Sequence, residues 1–185
     1  MSDSVVQESK VVVLCGGRGA RLKPQTDVVP KALVPINGRP ILEYIIDFYR
    51  ARGLSSFVLC VGYKGEQIAE RYETPPPGIE IAISDTGEDA SMLQRIWAVR
   101  DLIEERAFVS YCDTFIDLDL DGLMANHLDH EAAVTLVSAK IKSPFGLLTF
   151  DSGSWVSSFI EKPLLNYYIG CFILERSGLS PQRGF

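Results

Sequence analysis

Short apolar runs rich in β-branched residues recur along this chain, and most are followed by a stretch with helical spacing. Residues 10–15 form the first run and break into Gly16-Gly17, which predicts a buried strand entering a loop. Pro40 opens a helix with Ile41, Leu42, Ile45, Ile46 and Tyr49 on one apolar face, and Gly53 ends it. Residues 56–61 are the next strand and 65–72 a shorter helix; Pro75-Pro76-Pro77-Gly78 is a stiff turn into a strand at 79–83. Residues 91–105 show helical spacing in Met92, Leu93, Ile96, Val99, Leu102 and Ile103, before a strand at 107–112, a helix at 120–130 and a strand at 132–139. From Phe145 the rhythm changes to strands with short turns, at 146–150, 155–160 and 167–174. The alternation predicts an α/β fold: a Rossmann-like, mostly parallel sheet flanked by helices, with mixed or antiparallel strands in the last third. Ligands of such sheets bind beyond the carboxyl ends of the strands, where residues 15–31, 84–91 and 113–117 gather.

At 185 residues and 46% hydrophobic content the chain can bury one well-packed core, so residues 1–185 read as a single domain. No apolar run approaches the roughly 20 residues of a membrane helix. Residues 1–10 are polar and acidic, without the cationic start of a signal peptide, so a soluble cytoplasmic protein is expected. Cys15, Cys60, Cys112 and Cys171 each border an apolar run and form no CxxC pair, which predicts four reduced thiols in core strands. The net charge of −6 argues against a nucleic-acid partner and supplies no basic face for a membrane. Against that acidic background Arg18, Arg21, Lys23 and Lys31 crowd one stretch whose only acid is Asp27, which suits a small polyanion.

Several weaker features carry no chemistry. His127 and His130 lie three apart on a predicted helix without a third ligand and read as solvent-facing. Asp117, Asp119, Asp121 and Gly122 imitate a calcium loop, but its twelfth position is Leu128. Trp97 and Trp155 read as core residues.

The segment Leu14-Cys15-Gly16-Gly17-Arg18-Gly19-Ala20-Arg21-Leu22-Lys23-Pro24-Gln25-Thr26, followed by Pro30-Lys31-Ala32-Leu33-Val34-Pro35-Ile36, is the strongest motif. Its glycines let backbone N–H groups turn toward phosphates. Arg21 offers a planar fork for phosphate oxygens and Lys31 a compact charge. A dinucleotide fingerprint would need glycine where Leu22 stands, and no Gly-Lys-Ser/Thr follows for a Walker A loop.

What remains, GGxGxRLxPxT followed by PKxxxPI, resembles the sugar-phosphate nucleotidylyltransferases, with Ala20 where that family usually has Thr. The resemblance runs from Lys10 to about Leu174. It implies that Leu14, Cys15, Gly16, Gly17, Arg18 and Gly19 hold the nucleotide and that Arg21 and Lys31 stabilise charge at the transferred phosphorus. Gly62-Tyr63-Lys64 and Ser84-Asp85-Thr86-Gly87-Glu88 resemble the glucose-1-phosphate cytidylyltransferase branch, which implies CTP as donor, with Asp85, Thr86 and Gly87 near the base. That branch continues Thr-Gly-Gly-Arg where this chain reads Met92-Leu93-Gln94-Arg95; Arg95 matches and is expected on the nucleotide. Asp113, after Tyr111-Cys112, matches the family's Mg²⁺ ligand and completes the expected catalytic set. Gly146, in Phe145-Gly146, with Glu161 and Lys162 of Glu161-Lys162-Pro163, matches the acceptor-binding positions.

The implied reaction is in-line attack of an acceptor phosphate or phosphonate oxygen on the α-phosphorus of CTP or another NTP, with pyrophosphate leaving. An already anionic nucleophile needs no general base. Family members continue past the strand at 167–174 and supply a second metal-binding aspartate; here no aspartate follows Lys162. The chain is thus expected to be a short form or the N-terminal module of a longer protein, including a fusion to a second catalytic domain. It resembles the shortened cytidylyltransferase that activates small phosphonates such as hydroxyethylphosphonate in fosfomycin-type antibiotic biosynthesis. A small phosphonate and a sugar 1-phosphate are both open as acceptors. Relatives often assemble, so a homo-oligomer is also open, and the alternative is a nucleotide-binding regulatory subunit with little activity.

Overall fold

The computed structural model describes residues 2–179. The chain begins with α1 (Ser2–Glu8) and β1 (Lys10–Leu14), then a small ladder of β2 (Pro35–Ile36) and β3 (Arg39–Pro40) leads into α2 (Ile41–Arg50). β4 (Ser56–Val61), α3 (Gly65–Arg71), β5 (Glu80–Asp85), α4 (Met92–Ala98), β6 (Arg106–Tyr111), α5 (Leu120–Asp129) and β7 (Val134–Lys142) follow. β8 (Leu147–Phe150), β9 (Val156–Ile160) and the long β10 (Leu164–Glu175) complete it. The main sheet has six strands in the order β5-β4-β1-β6-β10-β7. β5, β4, β1 and β6 run parallel, with Leu14 opposite both Cys60 and Tyr111; β10 is antiparallel to β6, with Cys171 opposite Ser110. This is the α/β, mostly parallel architecture predicted, with the antiparallel strands late in the chain.

β1 is buried on both faces, as parallel strands between helices are. Val11 and Val13 pack with Leu42, Ile45, Phe57, Phe108 and Met124 on one side; Val12 packs with Val58, Ile96, Val99 and Val109 on the other. All five apolar residues predicted for α2 are buried, each contributing roughly 1.5–3 kcal/mol by removal from water. All four cysteines are free and buried, as expected.

Two compact units are distinguished within the chain: one reaches Thr135 and resumes at Gly170, and the other is Leu136–Ile169. The second is built on the β8–β9 hairpin, in which Leu147 pairs Ile160 and Leu148 pairs Phe159. Its apolar side chains stay exposed, Trp155 at 76% among them, so the core assignment of Trp155 is corrected; Trp97 is partly buried against the core as expected.

Two local readings also change, and one helix forms where the sequence reading placed no element. The helix predicted over 91–105 stops at Ala98 and tightens into a 3₁₀ turn, Arg100–Leu102. Arg100 lies over the Trp97 ring and donates to the Trp97 carbonyl at 3.0 Å, capping an end that the apolar spacing cannot reveal. α1 forms in the polar lead segment, where Val6 is buried. His127 is buried rather than solvent-facing: its ring meets Thr135 Oγ1 at 2.7 Å and Glu175 Oε1 at 3.0 Å, while His130 stays exposed.

Candidate active site

The parallel strands end on one edge of the sheet, and the loops beyond them carry the motif residues. β1 runs into Cys15-Gly16-Gly17, β4 into Gly62-Tyr63-Lys64, β5 into Thr86-Gly87-Glu88 and β6 into Cys112-Asp113. A cavity of about 280 Å³ opens there, lined by Leu14, Gly17, Lys31, Met92, Arg95 and Asp113 among others. A second, of about 440 Å³, is lined by Gly17, Gly19, Ala20, Arg21, Leu22, Lys31 and Asp113. The two share Gly17, Lys31 and Asp113, so the predicted catalytic residues Arg21, Lys31 and Asp113 do converge.

Lys31 begins a 3₁₀ turn after Pro30, anchored by fully buried Ala32. Its Nζ forms an ion pair with Asp113 Oδ2, both side chains partly shielded from water. The cation from the loop after β1 and the carboxylate after β6 therefore meet across neighbouring strands. Arg21 is exposed at the rim of the larger cavity.

The glycines divide by function. Gly19 has φ +60°, and a Cβ there would stand 3.0 Å from Lys31 Cβ and Thr26 Cγ2, so only glycine turns the loop back onto Lys31. Gly16 is closed off by the guanidinium of Arg95, which fills the space its Cβ would need, whereas Gly17 faces open space. The loop is also pinned from the β4–α3 connection. Tyr63 Oη donates to the Thr26 carbonyl at 3.0 Å, and Lys64 Nζ to the carbonyls of Asp27 and Val28 at 2.9 and 3.1 Å.

Arg95 lies on the cavity wall but is only 5% exposed. Its guanidinium donates to the Val61 carbonyl, to Thr86 Oγ1 at 3.0 Å, and to the carbonyls of Gly16, Gly87 and Glu88 at 3.4, 2.8 and 3.3 Å. It thereby ties together the loops after β1, β4 and β5. Asp85 Oδ1 accepts from Gly87 N at 2.8 Å and shapes the last of them. Arg18 reaches across to Glu88 Oε1 at 2.5 Å and lies 5.5 Å from the Tyr63 ring centre.

Cys15 and Cys112 lie beneath the site. The hydrogen bond with Cys112, then burial, holds the Cys15 thiol well above its ordinary range. Burial pushes the Cys60 thiol up to about 12 against the opposing charge of Arg95. These thiols are packing groups, not nucleophiles. Motif reading passed over Glu88, Ala90, Met92 and Tyr111 as wall residues; the placement of residues 84–91 beyond a strand end was the signal for the first two.

Gly146, Glu161 and Lys162 belong to the second unit. A Cβ at Gly146 would collide with the Phe159 ring, and Glu161 and Lys162 are exposed side by side, 3.9 Å apart, with Lys162 at φ +48°.

No helix among the described residues is long and apolar enough to cross a membrane. A family model described as nucleotidyl transferase matches residues 10–177. A probable glucose-1-phosphate cytidylyltransferase of Bacillus subtilis is 33% identical over 190 residues, covering 90% of this chain and 74% of the relative. A D-glycero-alpha-D-manno-heptose 1-phosphate guanylyltransferase of Campylobacter jejuni is 32% identical over 153 residues, 83% of this chain and 68% of its own. Among solved structures, HddC from Yersinia pseudotuberculosis complexed with GMP-PN superposes with a TM-score of 0.71 at 24% identity, over 91% of this chain and 77% of that one, showing a shared fold. The chain belongs to the nucleotidyl transferase family, and relatives it matches at 33% identity include glucose-1-phosphate cytidylyltransferases.

Proposed function

We propose that this protein transfers CMP from CTP to the phosphate oxygen of a sugar 1-phosphate and releases pyrophosphate. The observation that carries the reading is the Lys31–Asp113 pair shared by two cavities at the end of the glycine loop. One cavity can take the nucleoside and the other the remaining phosphates. Relatives named glucose-1-phosphate cytidylyltransferase support a cytidylyl donor and a sugar 1-phosphate acceptor, and one named a heptose 1-phosphate guanylyltransferase supports the acceptor class.

The acceptor oxygen bonds to the α-phosphorus while the bond from that phosphorus to the β-bridging oxygen breaks, and pyrophosphate leaves with the electron pair. In this reading Leu14, Cys15, Gly16, Gly17, Arg18 and Gly19 form the nucleotide site, with the glycine loop wrapping the triphosphate. Lys31 moves its charge from Asp113 to the phosphorus, and Arg21 meets the departing phosphates at the rim. Asp85, Thr86 and Gly87 border the base, and Arg95 both holds their loop and lines the cavity. Gly146, Glu161 and Lys162 bind the acceptor.

Among the described residues no group of three or more His, Cys, Asp and Glu side chains could hold a metal unaided. A single carboxylate completed by substrate phosphates is a usual way of holding Mg²⁺, so the Asp113 carboxylate fits that ion as a companion of the triphosphate. Bound there, Mg²⁺ would neutralise phosphate charge.

Pyrophosphate release measured with Mg²⁺, each common NTP, and either hexose 1-phosphates or small phosphonates such as 2-hydroxyethylphosphonate tests the reading. Release with CTP and a sugar 1-phosphate is expected. Release with the phosphonate alone would move the acceptor. Tight CTP binding without release from any pair would refute transfer in favour of a regulatory nucleotide-binding role.

A further inference from the structure

The smaller cavity changes character along its length. Lys31 and Asp113 line it from beyond β1 and β6, and Glu88 lines it from beyond β5, which lies on the far side of β4 and β1 from β6. β5 and β6 are separated by three strand spacings in the sheet order, about 14 Å at ~4.8 Å per spacing. Between these residues the wall is largely apolar, formed by Leu14, Met92 and Tyr111, with the Tyr111 hydroxyl 3.3 Å from Met92 Sδ. A phosphate chain suits the Lys31 end, which puts a planar base between apolar walls with its edge toward Glu88.

A carboxylate is an acceptor only, with two oxygens and about four lone-pair directions. Arg18 occupies Oε1 from outside at 2.5 Å. The Gly87 and Glu88 carbonyls are drawn to Arg95 at 2.8 and 3.3 Å, which fixes the backbone that carries this side chain. An exposed ion pair of this kind contributes little to stability, so its position on the cavity wall bears on what the cavity accepts.

We propose that Glu88 reads the base, accepting a hydrogen bond from an exocyclic amine on the pairing edge and repelling a carbonyl oxygen at the same place. The proposal rests on the nucleotidyl-transfer reading above and deepens it. Cytosine, guanine and adenine carry such an amine; uracil and thymine present a carbonyl there. Discrimination comes from both signs: a hydrogen bond gained with the right base, and two acceptors forced together with the wrong one.

Isothermal titration of the full chain with CTP, GTP, ATP, UTP and dTTP, each with Mg²⁺, tests this. The wild type should bind one amine-bearing nucleotide at least about tenfold more tightly than UTP and dTTP, and the CTP and GTP arms identify which base it takes. Glu88→Gln, whose amide can also donate to a carbonyl, should bring that ratio within about threefold, chiefly by strengthening UTP binding. Arg18→Gln should weaken all five nucleotides alike and leave the ratio in place. Equal binding of CTP, GTP and UTP by the wild type would overturn the proposal and leave nucleotidyl transfer standing. So would a ratio that follows Arg18→Gln but not Glu88→Gln. Binding of no triphosphate at all would overturn both.

Discussion

Arg95 is the side chain whose removal tests the architecture of the site most directly. Arg95→Met keeps the length of the stem and deletes a buried guanidinium that serves four carbonyls and one hydroxyl. Hydrogen bonds to a charged group contribute about 1.5–3 kcal/mol each, and a buried acceptor left without a donor costs about 1–3 kcal/mol. The contacts at 3.3 and 3.4 Å are long and count for little, and the Gly87 and Glu88 carbonyls lie on an exposed loop that water can reach. The buried Val61 carbonyl and the Thr86 and Gly87 contacts then set the scale, a loss of about 3–4 kcal/mol. At about 2–4 °C per kcal/mol for a chain of this size, the melting temperature should fall by about 10 °C. The Gly16 contact supplies a sharper test. Gly16→Ala alone should destabilise, because its Cβ would overlap the guanidinium. In the Arg95→Met background the same change should cost at least about 1 kcal/mol less. Urea unfolding of the four proteins of that cycle measures both quantities. Additive effects, or a loss below 1 kcal/mol for Arg95→Met, would refute the clamp.

Other expectations follow from single features. Lys31→Ala should lower kcat by about 10²–10³ while CTP affinity changes far less, in single-turnover and binding assays run side by side; equal losses would deny it a transition-state role. Gly19→Val should cost about 2 kcal/mol or more from the left-handed backbone and the crowding of Thr26 and Lys31, read from denaturant midpoints. His127→Phe should cost about 2 kcal/mol, because it leaves Thr135 without its partner and takes one of two from Glu175. Burial raises Cys60 and Tyr72 each to about 12, so the unfolded chain releases these protons first as pH climbs. Stability should therefore be flat below pH 9 and fall between about pH 9 and 12, and Cys60→Ala should flatten part of that decline in urea titrations across the range.

The sheet was legible because β-branched runs bounded by glycine and proline have one economical arrangement when helical segments separate them. The five-residue face of α2 and the strand at 56–61 appear where periodicity puts them. The convergence of Lys31 with Asp113 was legible only as the shared end of two strands. Three-dimensional partners decide what remained hidden. Gly16 reads as a phosphate-loop glycine in sequence, and the absence of its Cβ also makes room for an arginine 79 residues away. Arg95 reads as a ligand contact, and on the cavity wall its guanidinium also serves the protein's own carbonyls. His127 is buried because Thr135 and Glu175 satisfy its ring, and no local pattern announces a partner 48 positions downstream. Trp155 is apolar yet exposed, since a two-stranded hairpin offers it no second layer.

The pairing of Lys31 with Asp113 also bears on fidelity. Before substrate arrives the two charges cancel, so the resting site offers a stray ion neither a bare ammonium nor a bare carboxylate. Inorganic phosphate would have to leave Asp113 unpaired, and a lone cation would have to displace Lys31 without giving it another anion. On the proposed reading, a metal–triphosphate couple carries both signs and would satisfy both groups at once. The ion pair would then act as an idle-state plug, its exchange cost falling on every ligand except the one that brings its own counter-charge.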